Sequence, residues 1–341
     1  MRTRTIPLLL ALALVSLAMP APAPAEPVVV KLATLVPEGT IWHQMYKEME
    51  ADWSSATQGR VTMRLYAGGV AGDDPDMVRK MRIGQLQGAM LTAVGLSEID
   101  PSFKALRLPM FFSSYEELRG VLAALKPELA KRLEAKGFVL LDWTEAGWVN
   151  LFSRKPIVTI ADLKAAKLFS WAGDEQMTSW WKEQGFEPVS IATTDVPTAL
   201  QTGMIEAIPT TPLAALTLQW YRQVPNMLQL GFGPLVGATV MTKKTWDQIS
   251  PEDRAKVLDA AVRLEQKVRS EIPKQDKAAV DEMVKRGLKI VPLDAAAEAR
   301  WRTEAEKLDA TMRGVVVPAE AFDMVFQARD AWRKANPGDK R

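Results

Sequence analysis

Side chains that carry most enzyme chemistry are scarce in this sequence. It contains no cysteine and a single histidine, His43. One imidazole builds neither a Ser-His-Asp triad nor a histidine-based metal centre, and a chain without thiols forms no disulfide or thiolate metal site. We therefore predict no catalytic residue, no metal and no cofactor, and we assign His43 a structural or surface role.

Paired carboxylates are the remaining candidates for acid–base chemistry. Asp73-Asp74 and Glu116-Glu117 are adjacent acids, and two carboxyl groups are what a glycosidase needs. Each pair stands where a helix is predicted to begin, and acids at that position usually cap the helix and complement its dipole. A secreted hydrolase is therefore the weakest alternative.

Phosphate-binding loops are missing too, because G-F-G at 231–233 lacks the third glycine of GxGxxG.

Length, composition and charge are those of an ordinary globular protein. The 341 residues are 48% hydrophobic and 25% charged, enough chain for two domains. Arg2 and Arg4 account for the formal net charge of +2, and the other 41 basic residues balance the 41 acidic ones. This neutrality argues against nucleic acid or an anionic membrane surface as a partner.

The first 25 residues have the composition of a secretory signal peptide. Arg2 and Arg4 precede an apolar core at 6–19, and a short Ala-Pro repeat follows it. We expect cleavage after Ala25, so that the mature protein begins at Glu26. No later apolar run approaches the roughly 20 residues that cross a bilayer. The sequence therefore predicts an exported, periplasmic protein without direct membrane insertion.

Strands and helices alternate along the mature chain, which favours an α/β fold. In the first part, strand and helix patterns alternate at 28–33, 40–57, 60–66, from Asp73 onward, and at 88–94. In the stretch 154–212, helix and strand patterns alternate at 160–164, 167–170, 174–184, 189–191 and 194–203. Such β-α-β order is typical of a parallel sheet covered by helices.

Three segments are predicted to cross between two domains that share no continuous core. They are the strand-like runs 138–143 and 148–153, the run 235–242, and a long helix at 251–286 with a serine cap, an initial proline and a final glycine. The predicted division is a signal peptide at 1–25, domain I at 26–147 plus 236–270, domain II at 148–235 plus 287–317, a bridging helix at 251–286, and a C-terminal helix and tail at 318–341.

Five motifs in a fixed order extend over nearly the whole mature chain. They are GDDPDM at 72–77, LRLPMFF at 106–112, IADLK-x-x-KL at 160–168, TALQTG-x-I-E-A at 198–207 and TWDQISPEDRAKVLDAA at 245–261. In order and spacing they resemble the substrate-binding proteins of tripartite ATP-independent periplasmic (TRAP) transporters, DctP type. The resemblance implies a two-domain, type II-like periplasmic binding protein of the TRAP subclass, with a long domain-spanning helix. It also implies closure on a small organic ligand and delivery to TRAP membrane permease subunits.

The resemblance further indicates where such proteins hold a carboxylate. Family members typically carry K-[IL]-R-[VT]-P, whose arginine forms two hydrogen bonds with the ligand's carboxylate. Here the arginine position is Phe169 and the proline position is Trp171. A second frequent arginine position is Trp148, and the family's E-N-P becomes Thr210-Thr211-Pro212. The departures therefore concentrate on the polar ligand contacts.

We expect Trp148, Phe169 and Trp171 to form an aromatic wall, with one polar ligand group held by Thr92, Thr210 and Thr211. A carboxylate that loses its hydration needs a paired cation, whereas an aromatic wall favours apolar surface by about 25 cal/mol per Å². The predicted ligand is therefore neutral or largely apolar, with at most one polar end, rather than a C4-dicarboxylate or a sialic acid.

Three alternatives stay open at this point. The aromatic residues could simply fill the core, as large apolar side chains do by default. An arginine from elsewhere, such as Arg107, Arg154 or Arg222, could enter the cleft and restore anion binding. Finally, the protein could be a stand-alone periplasmic carrier or sensor for hydrophobic ligands that is not coupled to a TRAP permease.

Overall fold

One mixed β-sheet runs through residues 26–338, the part of the chain that the computed structural model describes. The predicted signal peptide lies outside these residues. The strands are β1 Val28–Thr34, β2 Val61–Tyr66, β3 Gly88–Thr92, β4 Phe138–Ser153, β5 Lys167–Trp171, β6 Glu187–Ile191, β7 Ala207–Thr210, β8 Asn226–Thr242 and β9 Lys289–Val291. Their order across the sheet is β2-β1-β3-β8-β4-β7-β5-β6, and β9 pairs with β8.

Helices connect the strands and cover the sheet. Those in the described part of the chain are α1 Ile41–Ala56, α2 Asp74–Arg82, α3 Ala93–Ile99, α4 Tyr115–Ala135, α5 Ile160–Lys164, α6 Glu175–Glu183, α7 Val196–Thr202, α8 Pro212–Thr217, α9 Lys243–Trp246, α10 Pro251–Lys285, α11 Ala295–Met312 and α12 Ala319–Ala335. Short 3-10 segments add a turn at Pro101–Arg107, Thr193–Asp195 and Trp220–Arg222.

Local capping chemistry explains why most elements lie where the sequence predicts them. Thr40 caps α1 by accepting a hydrogen bond from the His43 N–H, and Asp73 begins α2. Gly203 ends α7 in the left-handed conformation, with φ at 73°. The predicted parallel pairing of β1 with β2 and β3 is present. A helix start was predicted at Glu116-Glu117, but the extent of the 21-residue helix α4 that follows was not.

Strands β4 and β8 form a long antiparallel ribbon through the middle of the sheet. They are 16 and 17 residues long, and they join the half that contains β1–β3 to the half that contains β5–β7. The two predicted runs at 138–143 and 148–153 are thus parts of one strand. Between them the register shifts at Glu145 and Trp148, where Gly147 has φ at 124°.

Helix α10 is the long helix predicted from the sequence, and it runs for 35 residues. Its Asp276 carboxylate accepts hydrogen bonds from the Trp148 N–H at 2.9 Å and from the Leu213 N–H at 3.0 Å. A Cβ at Gly147 would lie 2.4 Å from the same carboxylate, so this close approach requires glycine. One buried side chain of α10 therefore holds the middle of β4 and the start of α8 together. The domain boundaries given above remain a prediction.

One apolar cluster extends further than we expected. It surrounds α3, α4 and the segment 101–112, and it also includes Met177 and Trp180 of α6. We predicted that the two halves would share no continuous core. They share this cluster because α6 lies against the segment that follows α3, where Asp174 and Arg107 form an ion pair.

Substitution of Gly237 by alanine is expected to destabilise the fold by about 1–3 kcal/mol, as over-packed interiors do. A Cβ at this position in β8 would lie 2.3 Å from the Leu91 carbonyl oxygen of β3, so the paired strands would have to separate. Denaturant unfolding measures the loss. Gly338→Ala is the control because a Cβ there meets open space, and equal stability of the two variants would contradict the prediction.

Candidate functional site

An apolar cavity of about 190 Å³ lies between the two halves of the sheet. Its walls come from the segment 106–112, the end of β5, the centres of β4 and β8, and helices α6 and α11. For comparison, an apolar protein cavity of about 150 Å³ holds a benzene molecule. The space therefore suits a small molecule, such as one ring with a short substituent.

Aromatic side chains make up much of the wall. They are Phe112, Phe169, Trp171, Trp181, Phe186, Phe232 and Trp301. Three pairs among them meet edge to face, with ring centroids 4.9 Å apart for Phe169 and Trp171, 4.7 Å for Trp181 and Phe186, and 5.6 Å for Phe232 and Trp301. This geometry is the favourable one for aromatic pairs, and it fixes the shape of the wall.

The structure places three of the candidate residues in the cavity wall: Thr92, Phe169 and Trp171. Phe169 is buried, 4% exposed, and one side of it belongs to an apolar cluster with Phe152 and Val196. It therefore both fills the core and forms the wall, so the two alternatives considered for it are not exclusive.

Trp148 lies elsewhere, which corrects the expectation that it lines the site with Phe169. Val149 and Leu151 line the cavity, and successive side chains of a strand point to opposite faces. The indole of Trp148 accordingly packs on the other face against Tyr115, with ring centroids 5.1 Å apart and planes at 82°. Alignment to a motif identified the strand but not which of its faces meets the cavity.

Thr210 and Thr211 are also outside the cavity wall, so the expectation that they hold a polar ligand group is corrected as well. Thr210 pairs with Asn150 in the β4–β7 ladder. Thr211 caps α8, where its hydroxyl accepts a hydrogen bond from the Ala214 N–H. The Thr-Thr-Pro motif is therefore a helix start, and the Thr211 hydroxyl bonds to the backbone of α8.

The hydroxyls that do line the cavity have partners in the protein. Thr92 donates to Asp74 Oδ2 at 2.5 Å and accepts from the Val94 N–H at 3.1 Å. Ser170 shares a hydrogen bond of 2.9 Å with the Thr178 hydroxyl. Burial raises the pKa of Asp74 to about 7, although the Thr92 hydrogen bond works in the opposite direction.

Arg107 is the one charged side chain among the described residues that line the cavity. Its guanidinium donates to the Asp174 carboxylate and lies 5.7 Å from the centroid of the Trp171 ring. Burial works to raise the pKa of Asp174, but the charges of Arg107 and Lys104 outweigh it and hold the pKa below its usual value. Asp174 is therefore ionised at neutral pH.

The other two arginines considered from the sequence do not line the cavity. Arg154 donates to the Leu200 carbonyl at the end of α7, which is a helix-capping role. Arg222 lies in the short 3-10 segment at Trp220–Arg222. Of the three, only Arg107 reaches the candidate site.

Helix α11 supplies wall residues that the sequence-based analysis did not identify. They are Trp301, Ala305, Leu308 and Met312, spaced as one face of a helix. This spacing was visible in the sequence, but a core-facing helix shows the same pattern. These four residues belong to the site because of where α11 lies in the fold, which their residue types do not indicate.

Residues 26–338 contain no cluster of three or more His, Asp or Glu side chains arranged to hold a metal ion. None of the helices within this range has the length and apolar character needed to span a membrane.

Comparison with known proteins gives one family match. The profile of the bacterial extracellular solute-binding proteins, family 7 (DctP), matches residues 32–313. A solute-binding protein of Sulfitobacter sp. is 25% identical over 262 residues, which cover 76% of this chain and 79% of that protein.

Solved structures of TRAP periplasmic solute-binding proteins have the same fold. One from Desulfovibrio salexigens, with bound orotic acid, has a TM-score of 0.82 at 17% identity and covers 90% of this chain and 99% of its own. One from Haemophilus influenzae, with bound L-gulonate, has a TM-score of 0.80 at 21% identity and covers 89% and 99%. The predicted α/β fold with a long helix is confirmed.

Proposed function

Because this chain belongs to family 7 of the bacterial extracellular solute-binding proteins, the ligand receptors of TRAP transporters, we propose that it captures a small, largely apolar molecule in the periplasm. The loaded protein delivers this molecule to the membrane permease subunits of its transporter. It binds and releases the ligand unchanged, so no catalytic group is needed.

The composition of the cavity wall carries this proposal. Of the lining residues, Thr92 and Ser170 have their hydroxyls bonded within the protein, and Arg107 is paired with Asp174. A carboxylate placed here would lose its hydration without a free cation to offset the loss, whereas an apolar surface gains about 25 cal/mol per Å². The site therefore favours a ligand with one polar end at most.

The proposed ligand contacts are Phe169 and Trp171 for the apolar body and Thr92 for a polar end. An aromatic ring fits this wall because Phe169 and Trp171 both line the cavity, and aromatic rings pack favourably against one another. The two structural relatives described above were solved with orotic acid and L-gulonate, both of which are acids. This chain is proposed to differ from them in ligand class while it shares their fold.

Contacts between the two halves of the molecule support their closure around the ligand. Asp73, at the start of α2, accepts a hydrogen bond from the Thr193 N–H at 2.8 Å. Arg107 and Lys104 form ion pairs with Asp174, which precedes α6 in the half that contains β5–β7. A cleft closed in this way excludes water from the ligand, as hinge closure does in binding proteins of this architecture.

Recovery of the native ligand tests the proposal. We expect solvent extraction of protein purified from its own host, followed by mass spectrometry, to yield a compound with an apolar body and no more than one ionisable group. Calorimetric titration should show no binding of succinate, malate or a sialic acid. Micromolar affinity for any of these three acids would contradict the proposed ligand class.

A further inference from the structure

The ion pair between Arg107 and Asp174 lies at the edge of the cavity, because Arg107 is one of the residues that line it. Arg107 ends the 3-10 segment that follows α3, and Asp174 precedes α6 in the half that contains β5–β7. Their side chains are 13% and 6% exposed. Both charges are therefore largely removed from water, and each depends on the other for compensation.

Asp174 has several partners that fix its position. Oδ2 accepts from the Arg107 guanidinium, and Oδ1 lies 3.5 Å from Lys104 Nζ and accepts from the Met177 N–H at 3.3 Å. The last contact is the N-cap of α6, whose Met177 and Trp181 line the cavity. The carboxylate is thus held in place by a helix as well as by two cations.

We infer that Asp174 is a built-in counter-ion that occupies Arg107 and thereby makes the cavity select neutral ligands over anionic ligands of the same shape. This inference rests on the proposed function, because it assigns a specificity-determining role at the same site. It identifies the side chain that keeps Arg107 from serving as an anion site.

The physical reason is competition for one guanidinium. An incoming carboxylate could pair with Arg107 only beside or instead of the Asp174 carboxylate, and two carboxylates that share a site repel each other. Displaced Asp174 would remain at the helix start, largely buried, with less compensation for its charge. A neutral ring leaves the pair intact and can rest against Trp171, whose ring also lies near the Arg107 guanidinium.

Asp174→Asn is the informative substitution, because asparagine caps a helix as well as aspartate does but carries no charge. The probes are 2-phenylacetamide and phenylacetate, which share shape and differ in charge, titrated by calorimetry. We expect the wild type to bind the amide at least about tenfold more tightly, and Asp174→Asn to shift this ratio at least about tenfold towards the acid. Equal wild-type affinity for both probes, or an unchanged ratio in the variant, would overturn the inference.

A ligand-free measurement tests the pair itself. Thermal unfolding is compared for Asp174→Asn, Arg107→Gln and the double variant, with Lys277→Gln and Asp281→Asn as a control pair. The control side chains are 80% and 59% exposed, so their effects should add. We expect the Arg107–Asp174 double variant to lose much less melting temperature than the sum of its single variants, and additive losses would overturn the inference.

The two proposals fail in different ways. Recovery of a hydrophilic sugar acid or dicarboxylate as the native ligand defeats the proposed ligand class. Recovery of an apolar ligand together with additive unfolding losses, or with an unchanged probe ratio, defeats only the role of Asp174.

Discussion

Replacement of Phe169 by arginine is expected to weaken binding of 2-phenylacetamide by at least about 100-fold, which corresponds to about 2.8 kcal/mol. Phe169 is 4% exposed and forms the wall beside Trp171, so the substitution removes apolar contact. It also places an unpaired cation in an apolar space, which costs several kcal/mol unless a counter-ion accompanies it. Fluorescence titration can follow the loss because Trp171 and Trp181 line the cavity.

Phe169→Leu is the matched control, because it keeps the wall apolar while it removes the ring. We expect a loss of about tenfold or less for this variant. Circular dichroism and thermal unfolding establish that both variants fold, since Phe169 also belongs to a core cluster. Undiminished probe binding by a folded Phe169→Arg variant would show that the ligand does not contact this wall.

Elements with local signals were predictable from the sequence. The N-cap threonine of α1, the aspartate before α2 and the glycine after α7 are short-range features that determine where helices begin and end. The β-α-β order then predicts parallel neighbours, as found for β1, β2 and β3. For α4 the acids after Ser114 indicated the start, but the length of the helix was not predicted.

Features that depend on distant residues were not predictable in the same way. Strand β4 continues past Gly147 because the Asp276 carboxylate of α10 binds its backbone at Trp148. Trp148 and Asp276 are 128 positions apart in the sequence. Placement of Trp148 depends on which strand face meets the cavity. The Arg107–Asp174 pair joins residues 67 positions apart, so the sequence could name Arg107 as a candidate but not show that its charge is compensated.

Asp309 of α11 makes the stability of this protein depend on pH in a predictable direction. Its side chain is buried, and burial raises its pKa to about 8, although Arg329 works in the opposite direction. Its Oδ1 has no hydrogen-bond partner among residues 26–338. Burial likewise raises the pKa of Asp74 to about 7 and that of Asp276 to about 6. All three carboxyl groups therefore bind protons more tightly in the folded state than in the unfolded chain, where their pKa is about 3.9.

The sign of the effect follows from proton linkage. Between pH of about 4 and the folded-state pKa, the folded state holds more protons, so the stability contribution of these groups is lost as pH rises. We expect the melting temperature to increase when pH is lowered from about 8 to about 5. At still lower pH, Asp174 and Glu117, whose pKa values are lowered, reverse the trend because their protonation breaks ion pairs.

Asp309→Asn isolates the largest of these contributions. Asparagine resembles the protonated carboxyl group, so the variant should gain unfolding free energy relative to the wild type, and this gain should be larger at pH 8 than at pH 5 by at least about 1–2 kcal/mol. Urea unfolding at the two pH values measures this difference. Asp259→Asn, at an exposed position of α10, is the control and should have little effect at either pH. A gain at pH 5 that equals the gain at pH 8 would mean that Asp309 is already ionised in the folded protein across this range, and would contradict the raised pKa.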